Sequence, residues 1–375
     1  MRTDPYRRFK LLVDGRKACD SGIGTYIRNV VPRVLARLPL ARVRVLVAPR
    51  SGGELSWLNG SQVERVEDAG LPLGLREQWS LRRLLAADEI FWATSLAHPL
   101  FRQGPMVATV HDVAQLALDR HSAGGRLVQL AARRYLQSLR RNAAVLFFNS
   151  AFTEREFRLH VGAPTAASAV TPLGVAAEWF EALPQAAAGM RPYFICVGSI
   201  RPHKNLRVLL TAFASVLDQL AHDLVIVGRH EGLRTREGDF AQLLAPLGER
   251  VRFLGAVDNA TLRQWVAGAQ TLVFPSLYEG FGLPALEAMA AGCPVIASSA
   301  GALPEVCGSA ARYFDPHSAD ALAAALLEQA RMTTEARRDQ VRQGLARARQ
   351  YDWDRTADLT VQAITRYLAH GGGRG

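Results

Sequence analysis

Short apolar runs alternate with longer stretches whose apolar positions recur at helical spacing. Phe9 to Val13, Ala41 to Ala48, Glu89 to Ala93, Met106 to Val110 and Val145 to Phe148 read as strands. Helical spacing covers roughly Thr25 to Leu38 and Arg126 to Leu139. Several of these strands are apolar almost throughout, as parallel strands covered on both faces are. The pattern lapses between Leu183 and Pro192, then a second series begins. Its strands are Tyr193 to Val197, Asp223 to Val227, Val251 to Leu254, Thr271 to Pro275 and Val295 to Ser298; its helices cover Leu206 to Leu220 and Thr261 to Ala269. Tyr351 to His370 reads as a terminal helix, and Gly371 to Gly375 as a frayed tail. The expectation is α/β: two Rossmann-like, doubly wound parallel-sheet domains facing across a cleft, 1–184 and 191–350, with helix 351–370 crossing back to the first.

Composition narrows this without changing it. At 375 residues, 49% apolar and 21% charged, the chain can build two globular cores. No apolar run is long enough to span a bilayer, and the polar start Met1-Arg-Thr-Asp is unlike a signal peptide. Cys19, Cys196, Cys293 and Cys307 show neither metal-ligand spacing nor a disulfide framework, which fits a cytoplasmic protein. The net charge of +11 is lopsided: residues 1–185 hold 25 Lys and Arg against 16 Asp and Glu. That excess suits an anionic partner. A nucleic acid is disfavoured, because no recognisable nucleic-acid module is present. Arg126, Arg133 and Arg140 recur every seven residues, with Arg134 and Arg141 beside them. A helix of that kind either presents a solvated face or lies on anionic lipid.

Candidate chemistry concentrates after two strands of the second half. From Phe274 the sequence runs Pro-Ser-Leu-Tyr-Glu279-Gly280-Phe281-Gly282-Leu283-Pro-Ala-Leu-Glu287. Gly280 and Gly282 let backbone amides approach a ligand at the positive end of the helix that Pro284 opens, a place that favours phosphate. Glu279 and Glu287 cannot hold a phosphate, but they can accept hydrogen bonds from sugar hydroxyls. Phosphate and hydroxyls together describe a sugar nucleotide. Earlier, Val197-Gly-Ser199-Ile-Arg201-Pro-His-Lys204-Asn205 joins another strand to a helix, with Asn205 as a plausible N-cap. Only Lys10, Lys17 and Lys204 are lysines among 45 cationic residues, so Lys204 stands out as a point charge for a diphosphate. In the first half, His111-Asp112 ends a strand, and Gly22-Ile-Gly24 follows another without the third glycine of a dinucleotide fingerprint. Asp14 and Arg16 just before it could touch an acceptor or simply form a turn.

The run Glu279-Gly-Phe-Gly-Leu-Pro-Ala-Leu-Glu287-Ala-Met-Ala-Ala-Gly-Cys-Pro-Val-Ile-Ala297 resembles the signature of the family 4 retaining glycosyltransferases, E-G-F-G-L-P-x-L-E-A-M-A-x-G-x-P-V-I-A. Gly198 to Asn205 is similar to the same family's G-[ST]-x-x-P-x-K-N run, and Val110-His111-Asp112 to its V-H-D element. Some members carry an arginine where Ser199 stands. Where the family often has N-G-V-D, this chain has Leu173-Gly-Val-Ala176.

The resemblance implies a GT-B fold with the donor on the second domain and the acceptor on the first, and domain closure over the donor. It implies that Glu287 binds the ribose, Glu279 and His111 the transferred sugar, and Lys204 the diphosphate with the amides of Gly280 to Leu283. Catalysis would rest on His111, Glu279 and Lys204. Ser199, Arg201 and Arg229 would assist at the phosphates, Gly255 would line the nucleobase wall, and Gly22 and Gly24 would face the donor phosphates. Asp352-Trp353-Asp354 is read as a helix start; no metal and no cofactor beyond the nucleotide sugar are implied. The implied reaction is hexose transfer with retention, leaning to mannose from GDP-mannose, onto a glycan or lipid-linked acceptor of bacterial surface polysaccharide, with peripheral contact to anionic membrane. An epimerase or phosphorylase on the same architecture, or an inactive scaffold, are the competing readings.

Overall fold

The computed structural model describes residues 9–369 except 21, 39, 50–54, 59–62, 69–74, 102–103, 119–124, 184–189 and 230–241. The chain divides into two compact units, 1–174 with 353–375, and 175–352.

The first unit contains β1 (Lys10–Asp14), α1 (Gly22–Arg37), β2 (Arg42–Val47), β3 (Glu64–Glu67), α2 (Leu75–Leu84), β4 (Glu89–Ala93), β5 (Met106–Val110), α3 (Ala114–Ala117), α4 (Gly125–Asn142), β6 (Val145–Phe148), α5 (Ala151–His160) and β7 (Ala167–Val170). Its strands pair in parallel in the order β3-β2-β1-β4-β5-β6-β7. The short strands β3 and β7 lie at the edges, and neither stands out in the sequence because neither is a fully buried apolar run.

The second unit contains α6 (Ala177–Phe180), β8 (Tyr193–Val197), α7 (Leu206–Ser215), β9 (Asp223–Val227), β10 (Val251–Gly255), α8 (Asn259–Gly268), β11 (Thr271–Phe274), α9 (Leu283–Ala290), β12 (Val295–Ser298), α10 (Leu303–Cys307), β13 (Arg312–Phe314), α11 (Ala319–Ala330) and α12 (Thr334–Ala348). Its parallel order is β10-β9-β8-β11-β12-β13. Leu209, Leu210 and Phe213 of α7 pack with Leu322 and Leu326 of α11 over Phe194 and Ile296. The helix expected over Leu206 to Leu220 ends at Ser215 and gives way to a 3₁₀ turn, Leu217–Gln219. The final helix, α13 (Trp353–Ala369), belongs to the first unit: it packs on α1, β6 and β7. Arg37 binds Asp354 and Asp358 there, Arg33 reaches Asp354 at 3.5 Å, and Trp353 is buried.

Three expectations need correction. Residues 175–183, assigned above to the first domain, belong to the second unit. Trp179 is buried there, its helix packs on α9, and Val175 N–H bonds the Tyr351 carbonyl at 3.1 Å. Gly22 and Gly24 stand not in a loop but in the first turn of α1, where a side chain on Gly24 would sit 2.4 Å from the Ala18 carbonyl oxygen. Asp14 does form a turn, accepting the Arg16 N–H at 3.2 Å, but the Arg16 side chain makes no open acceptor contact. Arg16 is sunk among three carboxylates: Asp14 at 2.7 Å, Asp68 at 2.9 Å and Glu77 at 2.7 Å, all side chains at most 5% exposed. Burial alone would lower the pKa of this guanidinium; the carboxylates instead hold it above its ordinary value.

The Arg16 cluster joins the end of β1, the residue after β3 and helix α2, so its loss must be felt by the first unit. Arg16→Ala leaves buried carboxylates without their cation and should cost about 3–5 kcal/mol. Denaturant unfolding followed by hydrogen exchange should show early opening of the first unit with the second unaffected; an unchanged first unit would disprove the role.

Candidate functional site

In a parallel sheet every β–α loop leaves from the same edge, and a crevice opens where neighbouring strands send their helices to opposite faces. In the second unit that place lies between β8 and β11. The two chemistry-bearing segments are the loops that follow these two strands.

After β8 the chain is held by backbone bonds to its neighbours: Gly198 N–H to the Val227 carbonyl at 2.9 Å, and Ile200 N–H to the Arg229 carbonyl at 3.1 Å. Gly228 N–H reaches the Gly255 carbonyl at 2.9 Å. These contacts bring Gly198, Ser199, Arg229 and Gly255 onto one edge. The approach is so close that a Cβ on Gly228 would lie 1.9 Å from the Gly198 carbonyl oxygen, and Gly228 has φ +153°. Asn205 stands at the N-cap position of α7, as the sequence suggests, but its side chain makes no capping bond. It adopts φ 56°, and its side-chain amide donates to the carbonyls of Pro275 at 3.0 Å and Pro316 at 2.7 Å. That amide and the Leu277 N–H to His203 carbonyl bond at 2.7 Å fasten the two loops together.

The result is an ion pair: Lys204 Nζ lies 2.6 Å from Glu279 Oε1, with side chains 22% and 14% exposed. Lys204 also stands 5.4 Å from the centre of the Phe274 ring. Below, a cavity of about 10 Å³ bordered by Cys196, Gly198, Lys204, Phe274 and Ser276 is of a size for a single water. The buried Ser276 hydroxyl has no hydrogen-bond partner among the described residues. Arg201 on the β8 loop and Arg229 on the loop after β9 are exposed.

Glu279 is set by Gly301, which sequence reasoning passed over. At φ +65° any Cβ there would be 2.6 Å from both N and O of Glu279, and Ala302 N–H bonds the Glu279 carbonyl at 2.9 Å. Gly282, at φ +102°, turns the chain into α9, with Pro284 in its first turn. The amides of Phe281, Gly282 and Leu283 have no hydrogen-bond partner among the described residues, so the positive end of α9 keeps unpaired donors suited to an anion. Phe281 is buried edge-on against Tyr351, 5.7 Å between ring centres. Glu287 is the fifth residue of α9, just past its first turn. Desolvation drives its carboxyl up to about 7, opposed by the Trp179 indole and by Arg263.

In the first unit, His111 follows β5. Its Nε2 lies 2.9 Å from the Thr94 carbonyl, which can only accept, so Nε2 carries the proton. Burial holds the imidazole below its ordinary pKa, with Thr94 and Asp112 opposing and Lys17 adding to the effect. The neutral ring, edge-on to Tyr26 at 5.0 Å, therefore offers Nδ1 as an acceptor. Asn149 donates to the His111 carbonyl at 2.8 Å, and Asp112 accepts Ala114 N–H at 3.0 Å, which orients the loop into α3. Gly22 and Gly24 sit at the N-terminus of α1, which starts after the loop that follows β1. Thr94, Gly301 and Trp179 lie outside the motifs, and nothing in their local sequence marks them.

A model of the family described as Glycosyl transferases group 1 matches residues 191–331. The chain is 31% identical over 303 residues to O-antigen chain mannosyltransferase B of Escherichia coli, covering 77% of this chain and 76% of that one. It is 37% identical over 163 residues to an MMP alpha-(1->4)-mannosyltransferase of Mycolicibacterium hassiacum, covering 42% of this chain and 38% of that one. Among solved structures, the Anabaena protein HepE in complex with UDP-glucose matches with a TM-score of 0.75 over 96% of this chain and 100% of that one. At 18% identity that likeness speaks for the fold alone.

Two outcomes follow from the geometry. Glu279→Gln releases Lys204 from a partly exposed pair worth about 1 kcal/mol, so a bare nucleoside diphosphate should bind about fivefold tighter by calorimetry; weaker binding would mean that Lys204 does not meet phosphate. Glu287 accepts hydroxyl hydrogen bonds at full strength only when ionised. Sugar-nucleotide affinity should therefore rise as pH increases through about 7 and be weaker at pH 6 than at pH 8 by up to about tenfold. The linked stability runs the other way: the contribution of the neutral carboxyl is present below the unfolded pKa and is lost as pH rises through about 7. A flat affinity profile would remove Glu287 from the site.

Proposed function

The chain belongs to the group 1 glycosyl transferases, and we propose that it transfers a hexose from a nucleotide diphosphate sugar, with retention of configuration and without a metal ion. The observation that carries this is the constellation at the switch point of the second unit. One cation, one carboxylate and the N-terminus of α9 with its unpaired amides converge there, and a second carboxylate stands one turn deeper. Lys204 and the amides of Phe281 to Leu283 would hold the diphosphate and stabilise it as it leaves. Ser199, Arg201 and Arg229 would surround it, with Gly255 beside the nucleobase. Glu287 would accept from the ribose hydroxyls. Glu279, once Lys204 turns to phosphate, would accept from the sugar.

His111 suits the same chemistry on the first unit: with Nε2 committed to Thr94, it can accept from a sugar hydroxyl but not donate to one. No protein nucleophile is required; rate comes from positioning and charge neutralisation. The thiols of Cys196, Cys293 and Cys307 are pushed up to about 12 by burial and are unsuited to attack.

The relatives named as mannosyltransferases favour a mannosyl donor, GDP-mannose, and O-antigen synthesis favours a glycan or lipid-linked acceptor at the cytoplasmic face of a membrane. Calorimetric titration with GDP, UDP, ADP and dTDP in EDTA should show tight binding of one diphosphate, GDP on this reading, and the matching sugar nucleotide should support transfer. Glu287→Ala should abolish that binding while the fold persists. Silence across all four diphosphates, or binding only with added metal, would overturn the proposal.

A further inference from the structure

Two buried hydroxyls flank His111 from positions where neither can touch a ligand. Thr94 is 1% exposed and Tyr26 0%, whereas His111 is partly exposed. Thr94 follows β4, whose pairing with β1 runs as far as Trp92 opposite Val13. Just beyond, the Thr94 hydroxyl donates to the Asp14 carbonyl. Asp14 is itself clamped, its carboxylate accepting from Arg16 Nε at 2.8 Å and Nη2 at 2.7 Å. The residue held in this way is the one whose carbonyl accepts His111 Nε2–H at 2.9 Å.

Tyr26 acts from α1. Alternate residues of a strand share a face, so Thr109 of β5 lies on the same side as His111. Thr109 Oγ1 accepts the Trp92 indole N–H at 3.3 Å and shares a hydrogen with the Tyr26 hydroxyl at 2.9 Å. That tether stands the Tyr26 ring edge-on to the imidazole, 5.0 Å between centres at 81°. Burying a hydroxyl costs unless it is bonded, and valine and phenylalanine would fill the same space, so packing alone accounts for neither.

We infer that Thr94 and Tyr26 are positioning residues for His111: the Thr94 hydroxyl aims the carbonyl that selects the Nε2–H tautomer, and the tethered Tyr26 ring sets the plane of the imidazole, leaving Nδ1 as a fixed acceptor. An imidazole free to exchange tautomers would offer a sugar hydroxyl a donor part of the time, where an acceptor is required. The buried Arg16 cluster therefore does more than hold the first unit together, because through Asp14 and Thr94 it reaches the histidine. This deepens the function proposed above and rests on it for its purpose, but its first readout needs no substrate.

The full chain, carrying isotope-labelled histidine, is followed at neutral pH by two-bond proton–nitrogen correlation spectra, with His111 identified by the signals that H111Q loses. The wild type should show the Nε2–H tautomer alone. T94V, which keeps the shape and loses the hydroxyl, should show both tautomers, and T94S should restore the single one. Y26F should keep the wild-type tautomer, since Thr94 is untouched. In transfer from the matching sugar nucleotide, T94V and Y26F should each lower kcat at least about tenfold with KM for the donor within about twofold, and T94S should stand close to wild type. A wild type in the Nδ1–H form, a T94V spectrum identical to the wild type, T94S behaving as T94V, or Y26F with wild-type kcat would each overturn the inference. An inactive wild type whose tautomer still responds to T94V would uphold the positioning and overturn the proposed function instead.

Discussion

Because every strand pair described in each sheet is parallel, functional side chains must come from loops that share one edge. The order β10-β9-β8-β11-β12-β13 then determines which loops can meet. β8 and β11 are neighbours although β9 and β10 separate them in sequence, so Lys204 and Glu279, 75 positions apart, end as partners. The same logic places Thr94, after β4, beside His111, after β5. The GT-B fold is two sheets of this kind, each with its polar groups gathered at a carboxyl edge.

Edge loops alone would be too loose to aim a charge. Here they are held largely through backbone groups, which the Asn205 side-chain amide also uses. Gly228 and Gly301 have no room for a Cβ, and Asn205 takes a left-handed conformation to send its amide to two carbonyls. The charged groups carried on this frame are left poised: Lys204 and Glu279 neutralise each other, and Glu287 sits between neutral and ionised near physiological pH. A ligand bearing both phosphate and hydroxyls satisfies all three at once, which neither phosphate nor sugar does separately.

The first unit distributes its charge differently. Arg16 is consumed in a buried cluster that ties α2 to the sheet, whereas the arginines of α4 face outward with little to neutralise them. Residue type does not distinguish these fates; the number of carboxylates within reach does.

Much of this was legible in the sequence. Buried parallel strands are nearly continuous apolar runs, so β4, β5, β6, β8, β9 and β12 could be read residue for residue. The edge strands β3, β7 and β13 could not, because a strand covered on fewer sides needs no such run. The Glu279 to Glu287 spacing, the glycines between them and the scarcity of lysine marked the donor-side residues, since a strand–loop–helix element writes its ligand chemistry into contiguous sequence. Tertiary structure alone decided which charges pair, that Gly301 and Thr94 set Glu279 and His111, that residues 175–183 join the second unit, and that Glu287 is desolvated. Those facts depend on groups far apart in the chain meeting in space, and local patterning carries no record of the distance between them.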